Sequence, residues 1–223
     1  MGSGGVRTAG SAGLIHQLGA KAILDDFTCL SLSVTSVAWS VAGGPIASIN
    51  ASGLASASNV YQDTLATVRA DYQSKFGTLS LIVLNVNNDD FGIYAHDGID
   101  DAWQVRYFGV GNTNAGPTAD PDGDHQNNLF EYAAGTVPTN SLSRSQLSVA
   151  QVFGHPAWMN LTFSPCLSNR TYTILFSTNL SVGGFGSLVS MRSSNNAAQV
   201  TFTDKGASNT ARFYRVGSAF PAQ

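Results

Sequence analysis

From Phe27 onward, apolar and polar residues alternate. Phe27, Cys29, Leu32 and Val34 fall two or three apart among Thr and Ser, and VAWSV, ATVRADY and GTLSLIVLNV continue the pattern with GGP and ASG between them. A period of two carried by β-branched and aromatic residues predicts antiparallel strands with one buried face. Short strands at this spacing predict a sandwich. After Leu142 the alternation returns as QLSVAQV, WMNLTFS, RTYTILFS, AQVTFTD and ARFYRVGS, five strands that predict a second small sandwich.

Residues 89 to 141 break the alternation. Trp103, Tyr107 and Phe108 stand at helical spacing behind Asp97, Asp100 and Asp101, the signature of a short amphipathic helix with negative charge at its amino terminus. Leu129, Phe130, Tyr132 and Ala133 precede Gly135 and Pro138 and predict a second helix. The expected fold class is therefore mainly β, two small antiparallel β-sandwiches joined by a short helical connector. The expected organisation is an amino-terminal arm over 1–26, a sandwich over 27–88, the connector over 89–141 and a second sandwich over 142–223. Within the arm, Leu14, Ile15, Leu18, Ile23 and Leu24 are apolar in a Gly- and Ala-rich setting. Two readings stand open: LIHQLGAKAIL forms the first strand of its own sandwich, or the arm is donated to a neighbour's sheet.

Between the two predicted helices lies the one motif that carries chemistry. Asp120, Asp122, Asp124, Asn128 and Glu131 occupy the first, third, fifth, ninth and twelfth positions of a twelve-residue loop. Calcium is a hard cation that takes roughly 6 to 8 oxygen ligands, and this spacing lets three carboxylates, a side-chain amide and a bidentate Glu converge on it. Gln126 would add its main-chain carbonyl. A solvated acidic turn would need one or two of these residues and has no use for Glu131. The connector is thus expected to bind calcium. His125 stands where such loops carry Gly for a bend at positive φ. Asp97-Gly98 and Asp101 look like the back half of a second loop, but its first ligands would be Ile93 and Ala95. A complete second site is not expected, and Asp97, Asp100 or Asp101 are read as caps of the first helix.

Composition narrows the function classes. Charged residues make up only 11% and hydrophobic residues 43%, against about 25% charged in an ordinary soluble domain. The polar surface is therefore built from Ser, Thr, Asn, Gln and Gly, a composition usual for exported bacterial β-proteins. A net charge of −3 with scattered basic residues excludes a phosphate-tracking surface, and hence nucleic acid as partner. No apolar run reaches the ~18 residues that would predict a membrane span. The opening MGSGGVRTAGSAG does not read as a secretory leader.

Cys29 and Cys166 are too few for a disulfide framework or a zinc site. They are either two small buried hydrophobes or the ends of a single bridge. His16, His96, His125 and His155 are isolated, and neither H-E-x-x-H nor G-x-S-x-G occurs. No catalytic residue is assigned, and an enzyme is not expected. Trp39 and Trp103 are read as core residues, which leaves Trp158, beside His155 and Pro156, as the candidate glycan contact.

Two resemblances add to this reading. Val37-Ala38-Trp39-Ser40-Val41, Ile46-Ala47-Ser48-Ile49, Ala51-Ser52-Gly53-Leu54, Ala66 to Tyr72 and Gly77 to Leu84 resemble the bacterial immunoglobulin-like group 2 domain over residues 27 to 88. The loop between FTCLSLSV and VAWSV is much shorter than in that family. DGIDDAW, YFG, DPDGD, NLFEYAAGTVPT, RTYTILFSTNL, VTFTDKGAS and ARFYRV are similar to the carboxy-terminal region of large secreted proteins from Verrucomicrobia and related bacteria, over residues 90 to 220. The first resemblance implies an immunoglobulin-like sandwich with no activity of its own, and the second implies a secreted or cell-surface protein with no assigned activity. Two functions are then in view. One is a structural surface protein, including the repeating subunit of a fibre that polymerises head to tail with copies of itself. The other is a carbohydrate-binding or adhesion module of a larger secreted protein that docks on cell-surface polysaccharide. In either, bound calcium is expected to stiffen the connector and set the angle between the sandwiches.

Overall fold

The computed structural model describes residues 6–10, 15–180, 184–208 and 211–220. The protein is mainly β, as the alternation predicts. It divides into two compact units, residues 1–113 and 114–223, so the connector read from the sequence as one piece is shared between them.

The first unit holds β1 (Val6–Gly10), β2 (Ile15–Gln17), β3 (Lys21–Ile23), β4 (Cys29–Ser31), β5 (Ala38–Gly43), β6 (Ile46–Ile49), β7 (Leu54–Ala57), β8 (Thr64–Tyr72), β9 (Lys75–Asn85) and helix α1 (Asp101–Phe108). One sheet runs β1-β9-β8-β5 and the other β2-β7-β6. Leu18, Ile46, Ala55 and Ala57 meet Ala66, Val68, Leu81 and Val83 in one buried cluster, with Trp39 and Leu79 against it. The alternating faces of the two sheets thus close on each other. β8 and β9 form a hairpin whose central residues, Gln73 and Ser74, both have positive φ, 46° and 64°. That turn matches the right-handed twist of the flanking strands. Gly44, at the β5–β6 turn, has φ 82°, and a Cβ there would collide with the backbone of Leu65 and Ala66.

Several expectations are corrected in this unit. LIHQLGAKAIL does not supply the first strand: Val6–Gly10 does, pairing parallel with β9, while Ile15–Gln17 pairs antiparallel with β7. The sandwich is thus not wholly antiparallel. FTCLSLSV contributes only β4, which pairs with β3 in a separate two-stranded ribbon. Its apolar residues stay outside the core: Phe27 is 87% exposed and Leu30 is exposed beside it. Leu18 is the arm residue that reaches the core, whereas Ile15, Ile23 and Leu24 are exposed. Leu14 lies outside the described residues.

The second unit holds α2 (Asn128–Ala134), β10 (Gln146–Val152), β11 (His155–Ser164), β12 (Arg170–Ser177), β13 (Gly186–Ser193), β14 (Val200–Asp204) and β15 (Phe213–Ala219). Its sheets run β10-β11-β14 and β13-β12-β15. Leu161 and Phe163 of the first sheet pack with Tyr172 and Ile174 of the second. The five expected strands are present, and a sixth, β13, was not read from the sequence. Its Ser- and Gly-rich GSLVSMRS gives little alternation, yet Leu188, Val189 and Met191 all pack on the core. Both cysteines are free. Cys166 is buried and its Sγ lies 3.4 Å from Ser193 Oγ, as a small core residue would; Cys29 is exposed, so neither a bridge nor burial describes it.

Candidate metal centre

The loop that leads into α2 is shaped by its own carboxylates. Asp120 Oδ1 accepts the Gly123 N–H at 2.9 Å and the Asp124 N–H at 3.2 Å, and Asp120 Oδ2 accepts the His125 N–H at 2.9 Å. Asp122 Oδ1 accepts from Asp124 N at 3.2 Å, and Asp124 Oδ1 from Gln126 N at 2.8 Å. Positive φ at Gly123 (75°) and His125 (73°) gives the chain the two sharp bends that turn these side chains to one side. His125 therefore takes up the left-handed conformation that Gly would adopt more cheaply, at a cost of about 1 kcal/mol. One oxygen from each of Asp120, Asp122 and Asp124 lies within 4.8 Å of the others, a cluster that can hold a metal ion.

α2 brings the remaining predicted residues. Asn127 caps it, its Oδ1 accepting the Phe130 N–H at 2.9 Å. Asn128 and Glu131, one turn apart on the same face, are fully buried. Asn128 Nδ2 donates to the carbonyls of Asn114 and Gly116, each at 2.8 Å, which fixes the amide with its oxygen turned the other way. Thr136 Oγ1 donates to Glu131 Oε1 at 3.2 Å. Four buried oxygens then lack a hydrogen-bond donor: Asp122 Oδ2, Asp124 Oδ2, Asn128 Oδ1 and Glu131 Oε2. Buried acceptors are normally satisfied, and each orphan costs about 1–3 kcal/mol. Burial pushes the Glu131 carboxyl up to about 7; the Thr136 bond works against this, while the charges of Asp122, Asp124 and Asp120 add to it. The Glu131 carboxylate thus feels the charge of the aspartate trio, although it is not part of the cluster whose oxygens lie within 4.8 Å of one another. All of this is chemistry that a bound cation would relieve.

Gln126 is the loop residue whose side chain turns elsewhere. Its Nε2 donates to the Ser145 carbonyl at 3.1 Å and its Oε1 accepts the Ser145 N–H at 3.0 Å, leaving the main-chain carbonyl as its contribution to the loop. The far end of α2 is fastened to the second sandwich. Arg170 Nε donates to the Ala133 carbonyl at 2.9 Å and Nη2 to that of Tyr132 at 3.3 Å, where the helix dipole favours a cation. The guanidinium stacks 3.5 Å from the Phe220 ring centroid, and Phe220 in turn lies 4.8 Å from Tyr132. Sequence reasoning missed Asn114, Gly116, Thr136 and Ser145, because their role is to orient ligands across the loop and no spacing rule marks them.

The other sequence candidates separate from this centre. Trp158 on β11 is half-buried, stacked on His155 at 4.1 Å and 11°, with Lys205 Nζ 4.8 Å from its ring. It is not a bare platform. Asp100 caps α1 as expected, accepting the Trp103 N–H at 3.0 Å. Among the described residues, no helix is long and apolar enough to cross a membrane. Neither the family models nor the curated proteins provide a match to this chain.

Proposed function

We propose that this protein is a non-catalytic extracellular structural protein whose second unit is hardened by a bound calcium ion. The observation that carries the reading is the set of four buried oxygens without donors on Asp122, Asp124, Asn128 and Glu131, beside the Asp120 carboxylate. A mixed carboxylate, amide and carbonyl set suits calcium, which accepts irregular geometry, better than magnesium, which demands an octahedron and keeps its water. All the donor residues belong to the second unit, so the ion would brace the loop and α2 against β12 through Arg170 and against Phe220, just past β15.

The sheet order of the first unit, with its terminal strand parallel to β9, is compatible with the immunoglobulin-like module that the motifs resemble. Two features support assembly into a fibre on or outside the cell. β1 is a five-residue edge strand joined to the rest by residues 11–14, and the edge of β9 would accept the same strand from a neighbouring copy. The β3–β4 ribbon and its turn also leave Ile23, Leu24, Phe27 and Leu30 exposed, Ile23 and Leu30 on opposite faces, apolar positions that self-association would cover. The carbohydrate-binding alternative has weaker support, since His155 and Lys205 already engage Trp158.

Negative-stain electron microscopy of the full chain in calcium tests the assembly, repeated on a chain lacking residues 1–10. Fibres that disappear on truncation while circular dichroism is unchanged are expected. Monomers in both samples would end the fibre reading and direct work to glycan binding.

A further inference from the structure

Three connections of the second sandwich leave from one end. β10 turns into β11 through Phe153–Gly154, behind the paired residues Val152 and His155. β11 runs antiparallel to β14 with Met159 opposite Asp204, so β14 finishes at the same end. Ser177, the last residue of β12, pairs with Phe213, the first of β15, and Arg212 just before it pairs with Asp204 and lies 4.6 Å from the Phe176 ring centroid. The chain therefore departs from Val152, Ser177 and Asp204 on one side of the sandwich.

This end is apolar at its tip and basic behind it. Phe153 is 100% exposed, and the positive φ of its turn is carried by Gly154, so the fold draws nothing from the phenyl ring. Leu180, beyond β12, is exposed as well. Two residues after Phe153, His155 stacks on the half-buried Trp158, and Lys205 Nζ lies 4.8 Å from the Trp158 ring centroid. Segments 149–158, 178–185 and 204–212 contain one acidic residue, Asp204, and that carboxylate is buried and already neutralised by Arg212. On a chain of net charge −3, no other carboxylate in these segments offsets Lys205.

Charge separates this tip from the other exposed phenylalanine at a turn. Phe27 of the first unit follows Asp25 and Asp26, whose carboxylates an anionic surface would repel. Phe153 has no such neighbour. An open aromatic face would suit a sugar ring, but the Trp158 face is covered by His155. A protruding ring, an indole half in and half out of the protein, and an unopposed ammonium match the layers of a bilayer surface instead: acyl boundary, interface and phosphate.

We infer that this end of the second unit docks on the surface of an anionic lipid bilayer, with Phe153 and Leu180 entering the acyl boundary, Trp158 at headgroup level and Lys205 on the lipid phosphates. The contact uses neither the calcium loop nor the edge of β9, so it stands or falls separately from ion binding and from fibre assembly.

Co-sedimentation of the full chain with vesicles of phosphatidylglycerol and phosphatidylethanolamine tests it, in chelator so that calcium bridges nothing, and against vesicles of phosphatidylcholine alone. The native chain is expected to sediment with the anionic vesicles and to favour them over the neutral ones. Phe153→Ser should lower partitioning by roughly tenfold or more, the burial of one phenyl ring, with circular dichroism unchanged because the side chain supports nothing. Lys205→Gln should weaken binding and flatten its dependence on salt, and Phe27→Ser should leave it as it was. A native chain that stays in solution with anionic vesicles would overturn the inference, as would Phe153→Ser sedimenting like the native chain. Retention on cell-surface polysaccharide with no vesicle binding would also overturn it, and would return this end to the glycan reading.

Discussion

Thr136 donates to one oxygen of Glu131 at 3.2 Å, and the other oxygen of that fully buried carboxylate has no donor at all. Half of the side chain is thus positioned by the protein and half is left for something else. Glu131→Gln keeps the shape and removes the charge. It should lower calcium affinity by about 100-fold, since ligand charge sets affinity in such loops, while leaving the ion-free chain as stable as the native one or more so. Titration calorimetry and thermal melting read the two effects independently; equal calcium affinity in the variant would remove Glu131 from the site.

The same group makes ion-free stability depend on pH. Folded Glu131 holds its proton up to about pH 7, whereas in the unfolded chain it releases it near the ordinary value of 4.5. Between those values the folded state binds more protons, so this contribution to stability falls as pH rises and is lost above about 7. In chelator, melting temperature should decline from pH 5 to pH 7.5 more steeply for the native chain than for Glu131→Gln. In excess calcium, where the carboxylate is ionised by its ligand, the difference should shrink. Identical slopes in chelator would contradict the buried-carboxylate account.

Ion removal should also lower stability at constant pH. An ion at about 100 times its dissociation constant contributes ~2.7 kcal/mol, which for a unit of this size corresponds to roughly 10 °C in melting temperature. Calorimetric scans in calcium and in excess chelator measure it; unchanged melting in chelator would refute ion binding.

Gly135 ends α2 with φ 79°, and a Cβ there would run into the side chain of Leu167. Gly135→Ala combines left-handed strain with that clash and should cost about 2–3 kcal/mol. It should also weaken calcium binding, because Gly135 and Thr136 donate to the Glu131 carbonyl at 2.6 and 3.1 Å and hold the last turn of the helix. Urea unfolding with and without calcium checks both.

Asp204 is 4% exposed and ties β14 to β15 by accepting from Arg212 at 2.5 Å and Tyr214 at 2.8 Å. Asp204→Ala leaves Arg212 without its counter-charge and should cost about 3 kcal/mol or more. The loss should appear in chelator and in calcium alike, since Asp204 is remote in sequence and role from the loop; a calcium-dependent loss would revise that separation.

The sequence by itself determined what is local. Strand alternation, the two short helices and the loop from Asp120 to Glu131 could be read because each depends on residues within a few positions of one another: a strand on its period of two, a helix on its cap, a cation loop on twelve consecutive residues. Even His125 was legible as the residue at which a bend was needed.

Tertiary structure decided what joins distant parts of the chain. No periodicity in VRTAG marks it as the partner of β9, because the choice depends on the edge that β9 leaves open. The weak pattern of GSLVSMRS becomes a strand only because β12 and the core already stand beside it. Asp89 binds the N–H groups of Asp97 and Gly98, and Asp101 those of Asp90 and Phe91, across the fold-back at Gly92–Tyr94, ties that no fixed spacing marks. Burial made the final difference at the loop before α2, since a carboxylate is a turn former in water, but once its oxygens are enclosed without a donor it needs a proton or a cation.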